Sequence, residues 1–384
     1  MNRSDILRAL RRPRTERPRI RLGNVDRLFP GGRGEPAVTA RTGARGSKGL
    51  SGPAERQVVV VTGASAGVGR AVAHAFADRG DSVALIARDA LALEEVAHEV
   101  ESRGGRSLVL PLDVSNADAV EAAAAGVEAE LGPIDVWVNN AMVSVFSPVR
   151  EMTADEYRRV TEVTYLGYVH GTLSALRRML PRDRGVIVQV GSALAYRAIP
   201  LQSAYCAAKH AINGFSESLR TELLHDGSSV RVTQVHLPAV NTPQFDWVRS
   251  RLPGRAQPVP PIYQPEVAAQ GIVWAADHDR RELVIGLSAD MAILGQKVAP
   301  DLLDRYLGRT GFHAQQADEA EAPGRPDNLF APVSGLHRTH GRFDDQAKAS
   351  SRHLWWSTRV GPLPTAVIGA AVGGLAVLGL ARRR

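Results

Sequence analysis

The sequence is poor in cysteine: its 384 residues include a single one, Cys206. One cysteine excludes an internal disulfide framework and any zinc site built on cysteine ligands, and it is compatible with a reducing compartment. The chain also lacks an internal repeat of solenoid length. With 44% hydrophobic residues it nevertheless has enough apolar material for one large core.

The first 55 residues lack aromatic residues almost entirely and contain no apolar stretch of signal-peptide length. They carry 13 Arg and Lys against 5 Asp and Glu, a net charge of +8, whereas the remainder carries 34 against 35. We interpret residues 1–55 as a basic, solvated and mostly disordered extension, because such a composition buries too little apolar surface to offset its ordering entropy. An Arg-rich transit peptide is an alternative, against which Asp5, Glu16 and Asp26 weigh. Binding to an anionic membrane surface is another, and nucleic acid is the less expected partner.

From about Gln57 to Val298, short apolar segments alternate with helical ones. The segments of strand character are QVVVVTG, SVALIAR, SLVLPLDVS, DVWVNNA, GVIVQVGS, VRVTQVHLPA and ELVIG. Apolar strands without polar alternation, separated by helices, predict a parallel sheet covered on both faces. We therefore expect an α/β fold with a Rossmann-like doubly wound parallel sheet flanked by helices, in a single catalytic domain over residues 56–312.

A glycine-rich turn, Thr62-Gly63-Ala64-Ser65-Ala66-Gly67-Val68-Gly69, separates the first strand from its helix. Glycines there permit positive φ and let the backbone approach a pyrophosphate, and the following helix N-terminus offers free N–H groups and a positive dipole end. A tight strand–helix turn without a ligand is the alternative. The position after the first strand of a parallel sheet favours dinucleotide binding.

Several motifs in order and in register make residues 57–300 similar to the short-chain dehydrogenase/reductase family. They are the glycine-rich turn, LDVS with Asp113, NNAM at Asn139–Met142, Ser192 ahead of SAYCAAK, and LPAVNT. The resemblance implies that the cofactor is bound by Gly63, Ser65, Gly67, Val68, Gly69, Arg88, Asp113, Val114, Asn140, Ala141, Tyr205, Lys209, Pro238 and Thr242.

The same resemblance assigns the catalytic roles to Ser192, Tyr205 and Lys209. A ketone that accepts a hydride develops negative charge on its oxygen and needs a hydrogen-bond donor and a proton. Tyr205 and Lys209 are four residues apart, on one helix face, so the cation is expected to lower the pKa of the phenol. Tyr205 is then the general acid in reduction and the base in oxidation, while Ser192 orients the substrate oxygen and Lys209 binds the nicotinamide ribose.

Three positions depart from the family pattern. Thr164 stands where the family has an asparagine that helps to hold a water in the proton relay to the lysine. A threonine hydroxyl can hold water as well, or the relay is rerouted. Met142 and Ala239 replace two glycines, and they either reshape the nicotinamide pocket or serve packing alone.

The end of the second strand, LIARDAL, sets the cofactor preference. An acidic residue there binds a ribose 2′-hydroxyl, whereas an arginine accommodates a 2′-phosphate. Arg88 comes first, and Asp89 is expected to act as a helix N-cap. We therefore predict NADP(H) in preference to NAD(H).

The segment after Thr242, PQFDWVRSRLPGRAQPVPPIY, corresponds to the family's substrate lid. Its large apolar residues are expected to line a pocket for a bulky lipophilic alcohol or ketone, with a lid packed on its own protein as the alternative. These residues are Phe245, Trp247, Leu252, Ile262 and Tyr263.

Beyond one further helix at PDLLDRYLGRTGF, residues 313–354 are polar and rich in turn-forming residues, and we expect a solvated linker. The spacing of His337, His340 and His353 fits no standard metal site, so no metal is predicted.

Residues 355–384 form a last predicted segment. It contains 22 residues without a charge, from Val360 to Ala381, preceded by Trp355 and Trp356 and followed by three arginines. This run is long enough for a helix to span a bilayer, and aromatic residues favour the interface. We expect membrane attachment, at the cytoplasmic face of a bacterial membrane. A soluble helix docked on a partner is the alternative, since three arginines would have to cross.

The sequence thus predicts an NADP(H)-dependent oxidoreductase that interconverts a lipophilic ketone or aldehyde and an alcohol. By family resemblance a homo-oligomer is expected. The alternative is a catalytically idle relative that binds dinucleotide as a sensor or scaffold at the membrane, and Thr164 is the main feature in its favour.

Overall fold

In the computed structural model, which describes residues 56–360, a seven-stranded sheet forms the centre of the fold. Its strands are β1 (Val58–Thr62), β2 (Ser82–Ala87), β3 (Arg106–Pro111), β4 (Val136–Asn139), β6 (Val186–Ser192), β7 (Arg231–Leu237) and β12 (Glu282–Val284). Every pairing in this sheet is parallel. The spatial order is β12-β7-β6-β4-β1-β2-β3, so the chain reverses its direction of travel between β1 and β4. In open α/β sheets, ligands bind beyond the carboxyl ends of the strands at such a reversal.

Helices cover both faces of this sheet. In chain order they are α1 (Gly67–Ala77), α2 (Ala90–Ser102), α3 (Ala117–Glu130), α4 (Ala154–Thr161), α5 (Gly167–Met179), α6 (Ser203–His225), α7 (Gln244–Trp247), α8 (Pro265–Asp277), α9 (Leu287–Val298), α10 (Pro300–Ala314) and α11 (Arg352–Arg359). Two clusters of buried apolar side chains, one on each face, form the core. Val59 and Val61 of β1 belong to one cluster and Val58 and Val60 to the other, because successive side chains of a strand point to opposite faces. The predicted Rossmann-like fold is confirmed.

The shorter strands make three small sheets beyond the central one. They are β5 (Val145–Phe146), β8 (Ala239–Val240), β9 (Arg249–Ser250), β10 (Gly254–Ala256), β11 (Ile262–Tyr263), β13 (Gln316–Ala320) and β14 (Ala347–Lys348). β10 pairs with β13, β5 with β9, and β11 lies between β8 and β14. Strands from residues 316–348 therefore pair with strands of the segment that follows β7.

The expectation of a solvated linker at residues 313–354 is wrong. Leu329, Phe343 and Leu354 are buried, with at most 5% of each exposed. Composition suggested a linker because these apolar residues are far apart in a polar sequence. Much of the polar sequence between them forms hydrogen bonds and ion pairs with the catalytic domain, and main-chain carbonyls take part in several of these.

Residues 1–55 and 361–384 lie outside the described part, and with them most of the predicted membrane segment. Among the residues that the structure describes, no helix is long and apolar enough to cross a membrane.

Candidate active site

The carboxyl ends of the sheet strands open into one cavity of about 720 Å³. All but two of the predicted site residues line it: Gly63, Ser65, Gly67, Val68, Arg88, Asp113, Val114, Asn140, Ala141, Ser192, Tyr205, Lys209, Pro238 and Thr242. The exceptions, Gly69 and Thr164, lie just behind its wall. The topology thus brings together residues that are up to about 180 positions apart in sequence.

The turn after β1 depends on glycine for its shape. Gly63 and Gly67 adopt positive φ angles of 68° and 56°, a region that L side chains rarely occupy. A Cβ atom on Gly69 would lie 2.1 Å from the carbonyl oxygen of Gly63. Gly69 therefore acts through close packing of α1 on the turn, whereas Gly63 and Gly67 shape the cavity surface.

Helix α1 starts at this turn and presents its N-terminus to the cavity. Its N-cap residue, Ala66, provides no side-chain hydrogen bond to the first turn. The N–H group of Gly67 donates to the carbonyl oxygen of Arg338, at 3.0 Å. The N-terminal end of a helix carries a partial positive charge, so this end of the cavity suits an anionic group.

At the end of β2, Asp89 caps helix α2 as expected. One carboxylate oxygen accepts from the Ala92 N–H group at 3.1 Å, and the other accepts from the Ser334 hydroxyl at 3.1 Å. The half-buried Arg88 donates through Nη2 to the carbonyl oxygen of Asn328 at 2.5 Å. Burial lowers the pKa of Arg88 from its usual value, which for a guanidinium still leaves a cation.

After β3, Asp113 forms an ion pair with Arg159 and accepts a hydrogen bond from Ser115. Burial alone would raise the pKa of the Asp113 carboxyl, but the hydrogen bonds from Arg159 and Ser115 outweigh it and lower that pKa. Arg159 also donates to the carbonyl oxygen of Leu329, at 2.9 Å. Asp113 thus lines the cavity as a carboxylate paired with its neighbour.

The two asparagines at the end of β4 support the turn after β1 and the core behind it. Asn140 donates from its side-chain amide to the carbonyl oxygen of Thr62, at 2.9 Å. Asn139 is buried, and it accepts from Trp137 Nε1 and donates to Thr172 Oγ1. We did not assign Asn139 to the site, although its place in the NNAM motif was the available signal.

Thr164 lies in a single π-helical turn, Glu162–Leu166, between α4 and α5. Its buried hydroxyl donates to the carbonyl oxygen of Val143 at 2.9 Å and accepts from the N–H group of the same residue at 3.1 Å. The hydroxyl is therefore engaged as both donor and acceptor with the loop after β4. This arrangement does not favour the expected role of Thr164 in holding a water for the lysine.

Lys209 is buried, with 2% of its surface exposed, and it reaches the cavity from α6. Its Nζ atom donates to Tyr168 Oη at 2.9 Å and to the carbonyl oxygen of Val190 at 2.7 Å. Burial lowers the pKa of Lys209 to about 7, because the charged form loses its hydration. Tyr168, which was not predicted, is also buried and donates to the same carbonyl at 3.0 Å.

Ser192 is the last residue of β6, and Tyr205 is the third residue of α6. Burial raises the pKa of the Tyr205 phenol well above its usual value, and a hydrogen bond with Ser192 opposes this rise. Lys209 Nζ lies 5.6 Å from the centroid of the Tyr205 ring and points toward Tyr168 and Val190. The expected lowering of the Tyr205 pKa by Lys209 is therefore wrong for this arrangement, since desolvation dominates.

The family profile described as "short chain dehydrogenase" matches residues 57–252 of this sequence. The chain belongs to the short-chain dehydrogenase family. An uncharacterized oxidoreductase, YxnA, of Bacillus subtilis is 31% identical over 331 residues, which is 85% of this chain and 91% of that protein. The 331 aligned residues show that the similarity extends well beyond the 57–252 range that the profile matches.

Two solved structures give the same result for the fold. A short-chain dehydrogenase from Streptomyces avermitilis is 30% identical with a TM-score of 0.56, covering 67% of this chain and 98% of that one. A metagenomic short-chain oxidoreductase, solved in complex with NADP, is 29% identical with a TM-score of 0.51, covering 60% and 96%. Sequence and fold therefore both identify the protein as an NAD(P)-dependent enzyme of this family.

The cavity of this short-chain dehydrogenase has the features that a nicotinamide dinucleotide requires. The glycine turn and the N-terminus of α1, which has no side-chain cap, suit the pyrophosphate, and the ends of β2 and β3 suit the adenosine. A Cβ atom on Gly67 would lie 2.9 Å from Thr242 Cγ2, so the turn and the segment after β7 already approach closely. The residues present therefore fit the cofactor.

The other end of the cavity is apolar. Phe245 and Trp247 line the cavity as expected, but Leu252, Ile262 and Tyr263 pack into the interior and do not. Proline and helix residues that were not predicted replace them: Pro258, Val259, Pro260, Pro261, Met291, Ala292, Tyr306 and Leu307. Helices α9 and α10 were not assigned to the site because their sequence carries no family motif.

The most important feature that sequence analysis missed is the C-terminal wall of the cavity. Asn328, Pro332, Val333 and His337 line it beside Arg88 and Asp89. His337 Nδ1 lies 3.7 Å from Asp89 Oδ2, and burial lowers the pKa of His337. The composition of this segment gave no signal, because the contacts are made by dispersed side chains and by main-chain carbonyls.

Proposed function

We propose that the protein is an NADP(H)-dependent oxidoreductase that interconverts a lipophilic ketone or aldehyde and the corresponding alcohol, with Tyr205 as the general acid/base. The observation that carries this proposal is that Ser192, Tyr205 and Lys209 line the same cavity as the glycine turn, next to an apolar end. One cavity therefore offers adjacent regions for the dinucleotide, for the proposed catalytic side chains and for a lipophilic substrate.

In this proposal Tyr205 donates the proton. A phenol whose pKa is raised is protonated at neutral pH, and it can pass its proton to the oxygen that becomes negative during reduction. Ser192 lines the same cavity, and its hydroxyl accepts from the Leu194 N–H group at 3.1 Å, so its proton is left to supply a second donor to that oxygen. The cofactor, when bound, supplies or accepts the hydride.

The preference for NADP(H) is supported by the positions of Arg88 and Asp89. Arg88 lines the cavity as a cation, while both oxygens of Asp89 already accept hydrogen bonds. A 2′-phosphate would find a guanidinium there, whereas a 2′-hydroxyl would have to share carboxylate oxygens that already accept hydrogen bonds.

A lipophilic substrate is supported by the lining of the cavity opposite the adenosine end. Leu194, Ile199, Val259, Met291 and Leu307 are apolar. Trp247 lines the cavity at the other end, where its ring centroid lies 5.1 Å from that of His337. Gln202 and Gln315 also line the cavity, but they are hydrogen-bonded to each other, with Gln202 Nε2 donating to Gln315 Oε1 at 2.8 Å, so the apolar side chains provide most of the free contact surface.

Membrane attachment at a bacterial cytoplasmic face is part of the proposal and rests on the sequence from Val360 to Ala381. The described residue pair just before this run supports it, because Trp355 and Trp356 are 52% and 41% exposed. Exposed tryptophans next to an apolar segment suit a membrane interface.

We also propose a homo-oligomer. Leu166, Leu173 and Leu180, on or next to α5, expose apolar side chains, as does Leu224 on α6. Apolar residues on the surfaces of two long helices are suited to an interface between copies of the chain.

The test is Tyr205→Phe, with NADPH oxidation followed by absorbance over a panel of apolar ketones and aldehydes. Wild-type turnover and its loss in the variant, with NADPH binding retained, are expected. The matched control is Tyr165→Phe, since the Tyr165 ring packs against Phe215, with ring centroids 6.5 Å apart. Near-normal turnover in Tyr205→Phe would contradict the mechanism. NADPH binding without turnover by the wild type on any member of the panel, or on a lipid extract, would favour the idle sensor.

A further inference from the structure

The segment Asn328–Phe343, called the clasp below, crosses the adenosine end of the cavity. Four of its main-chain carbonyls accept hydrogen bonds from the catalytic domain. The Arg88 guanidinium donates to Asn328 O, the Arg159 guanidinium to Leu329 O, the Gly67 N–H group to Arg338 O and the Arg70 guanidinium to His337 O. Because the acceptors are main-chain carbonyls, these hydrogen bonds fix the backbone of the clasp along the adenosine end of the cavity.

Two anchors hold the clasp in place. The Leu329 side chain is fully buried in the core on one face of the sheet. At the other end, the Phe343 N–H group donates to Asn241 Oδ1 at 3.0 Å, and the Phe343 ring packs edge-on against Phe245. The clasp is therefore a built part of the site.

The clasp acts differently on the two residues that decide cofactor preference. Ser334 donates to Asp89 Oδ2 at 3.1 Å, and among the described residues this is the one hydrogen bond of that oxygen, since His337 Nδ1 lies 3.7 Å away. Arg88 donates to the clasp through both terminal nitrogens, Nη2 to Asn328 O at 2.5 Å and Nη1 to Leu329 O at 3.5 Å, which leaves three of its five N–H donors for a ligand in the cavity. The carboxylate is thus occupied while the cation stays available.

We propose that the clasp determines the cofactor specificity of this enzyme, by having Ser334 occupy the Asp89 carboxylate that would otherwise bind a ribose 2′-hydroxyl. The proposal rests on the proposed binding of NADP(H) in this cavity. According to this proposal, a C-terminal segment takes part in the discrimination between NADP(H) and NAD(H), together with the residues at the end of β2.

The experiment is Ser334→Ala in the full chain, with equilibrium binding of NADPH and of NADH measured separately by nucleotide fluorescence. Removal of the hydroxyl frees one oxygen of Asp89, so NADH binding should tighten about three- to tenfold, the usual range for one hydrogen bond, while NADPH binding stays within about twofold. The ratio of the two dissociation constants therefore falls. Ser350→Ala, at an exposed position outside the clasp, is the matched control.

Binding is measured without a substrate, so the result does not depend on turnover. An unchanged ratio in Ser334→Ala, with wild-type binding of both cofactors, overturns the proposal and leaves the proposed function intact. Failure of the wild type to bind either nucleotide overturns the proposed function itself. A second variant, Ser334→Thr, keeps the hydroxyl and should keep the wild-type ratio.

A second inference concerns Tyr168 and is carried by different contacts. An ammonium has three donors, and two of those on Lys209 go to Tyr168 Oη and to Val190 O. The third remains for the cavity that Lys209 lines. Thr164, at the position from which the family supports its lysine, has its hydroxyl engaged with Val143.

We propose that Tyr168 is a positioning residue that holds the Lys209 ammonium toward the cavity, in place of the support that Thr164 does not give. This inference also rests on the proposed function. The Tyr168 hydroxyl donates its proton to Val190 O, so toward Lys209 it acts as a hydrogen-bond acceptor. We therefore assign it no part in a proton relay to solvent.

Tyr168→Phe keeps the ring and removes the acceptor. The kcat should fall about tenfold with the KM for NADPH within about threefold, and loss of activity on the alkaline side should begin at a lower pH, because the Lys209 ammonium is less stabilised. Besides Tyr168, the titratable groups near Lys209 are Tyr205 on its own helix and His236 on β7. Burial lowers the pKa of His236 to about 4, which places its titration outside this range.

The control for this experiment is Tyr165→Phe, a change of the same kind in the adjoining π-helical turn. An unchanged alkaline limb in Tyr168→Phe, with either normal or reduced kcat, overturns the positioning role. Absence of any wild-type turnover is the separate result that overturns the proposed function.

Discussion

At the scale of single residues, Arg88 decides the charge of the adenosine end. Arg88→Ala removes the guanidinium that a 2′-phosphate would meet, so NADPH binding should weaken about ten- to a hundredfold, as expected for the loss of one or two charge-assisted hydrogen bonds. NADH lacks the phosphate, and its binding should change less than about threefold. Both affinities are measured by fluorescence titration.

Arg88 also donates to the clasp through Asn328 O, so its removal has a second effect. Arg88→Lys separates the two, because lysine keeps the charge but not the planar fork of donors. If both cofactors lose affinity equally in Arg88→Ala, then Arg88 supports the clasp and does not bind the phosphate.

Some of the site residues, but not their environment, could be predicted from the sequence. Short motifs predicted Ser192, Tyr205 and Lys209 as the catalytic residues, and the ends of β6 and α6 bring all three to one cavity. The direction of the Tyr205 pKa could not be predicted, since it depends on how many atoms surround the phenol. Nor could Tyr168, whose contact with Lys209 joins residues 41 positions apart.

At the scale of elements, helix α11 presents two different faces. Leu354 packs into a core cluster and His353 Nε2 lies 2.7 Å from Asp290 Oδ2, whereas Trp355 and Trp356 are exposed. Leu354→Ala should lower the free energy of unfolding by about 2–4 kcal/mol, the usual range for a buried leucine. Trp355→Ala is the control and should change it by less than about 1 kcal/mol.

These stabilities are measured by urea unfolding with the transition midpoint and slope compared. Equal stability of wild type and Leu354→Ala would show that α11 is not part of the folded domain. The test matters because sequence analysis placed residues 313–354 in a linker and residue 355 onward in a separate segment.

The elements of the central sheet were predictable because buried parallel strands are continuous apolar runs, and those runs stand out in sequence. β13, β14 and the clasp were not, because their stability comes from partners far away. β14 pairs with β11 about 85 residues earlier, and Leu329 inserts into a core made by residues 58–232. Such contacts leave no periodic pattern within the segment itself.

At the scale of the whole molecule, buried histidines should make stability depend on pH. Burial lowers the pKa of His236 to about 4 from its unfolded value near 6.5. Between these values the unfolded chain binds a proton that the folded protein does not, so stability falls as the pH falls through this window. The shift corresponds to a loss of about 3 kcal/mol once the pH is below 4.

His236→Gln removes this titration, so the drop in melting temperature between pH 7.5 and 4.5 should be smaller than in the wild type. His74 and His337, whose pKa values burial also lowers, keep part of the dependence in both proteins. His225→Gln, at an exposed position, is the control. A drop equal to that of the wild type would show that His236 becomes protonated within the folded state at no cost.

We predict that the uncharged run from Val360 to Ala381 attaches the full-length protein to a membrane. We expect the full-length protein to sediment with membranes and to need detergent for extraction, since an apolar helix satisfies its own backbone groups in hydrocarbon. A chain ending at Val360 keeps α11 and the clasp, and should be recovered without detergent. It should retain its activity on a water-soluble ketone and lose activity on a lipophilic one held in bilayers.

Salt distinguishes this anchor from the basic extension at residues 1–55. Attraction between that extension and anionic headgroups is screened by salt, whereas an inserted helix is not. Extraction of the full-length protein by high salt alone would assign the attachment to the extension. Recovery of the full-length protein in the soluble fraction at low salt, without detergent, would contradict membrane attachment and leave the run after Val360 as a packing or oligomerisation segment.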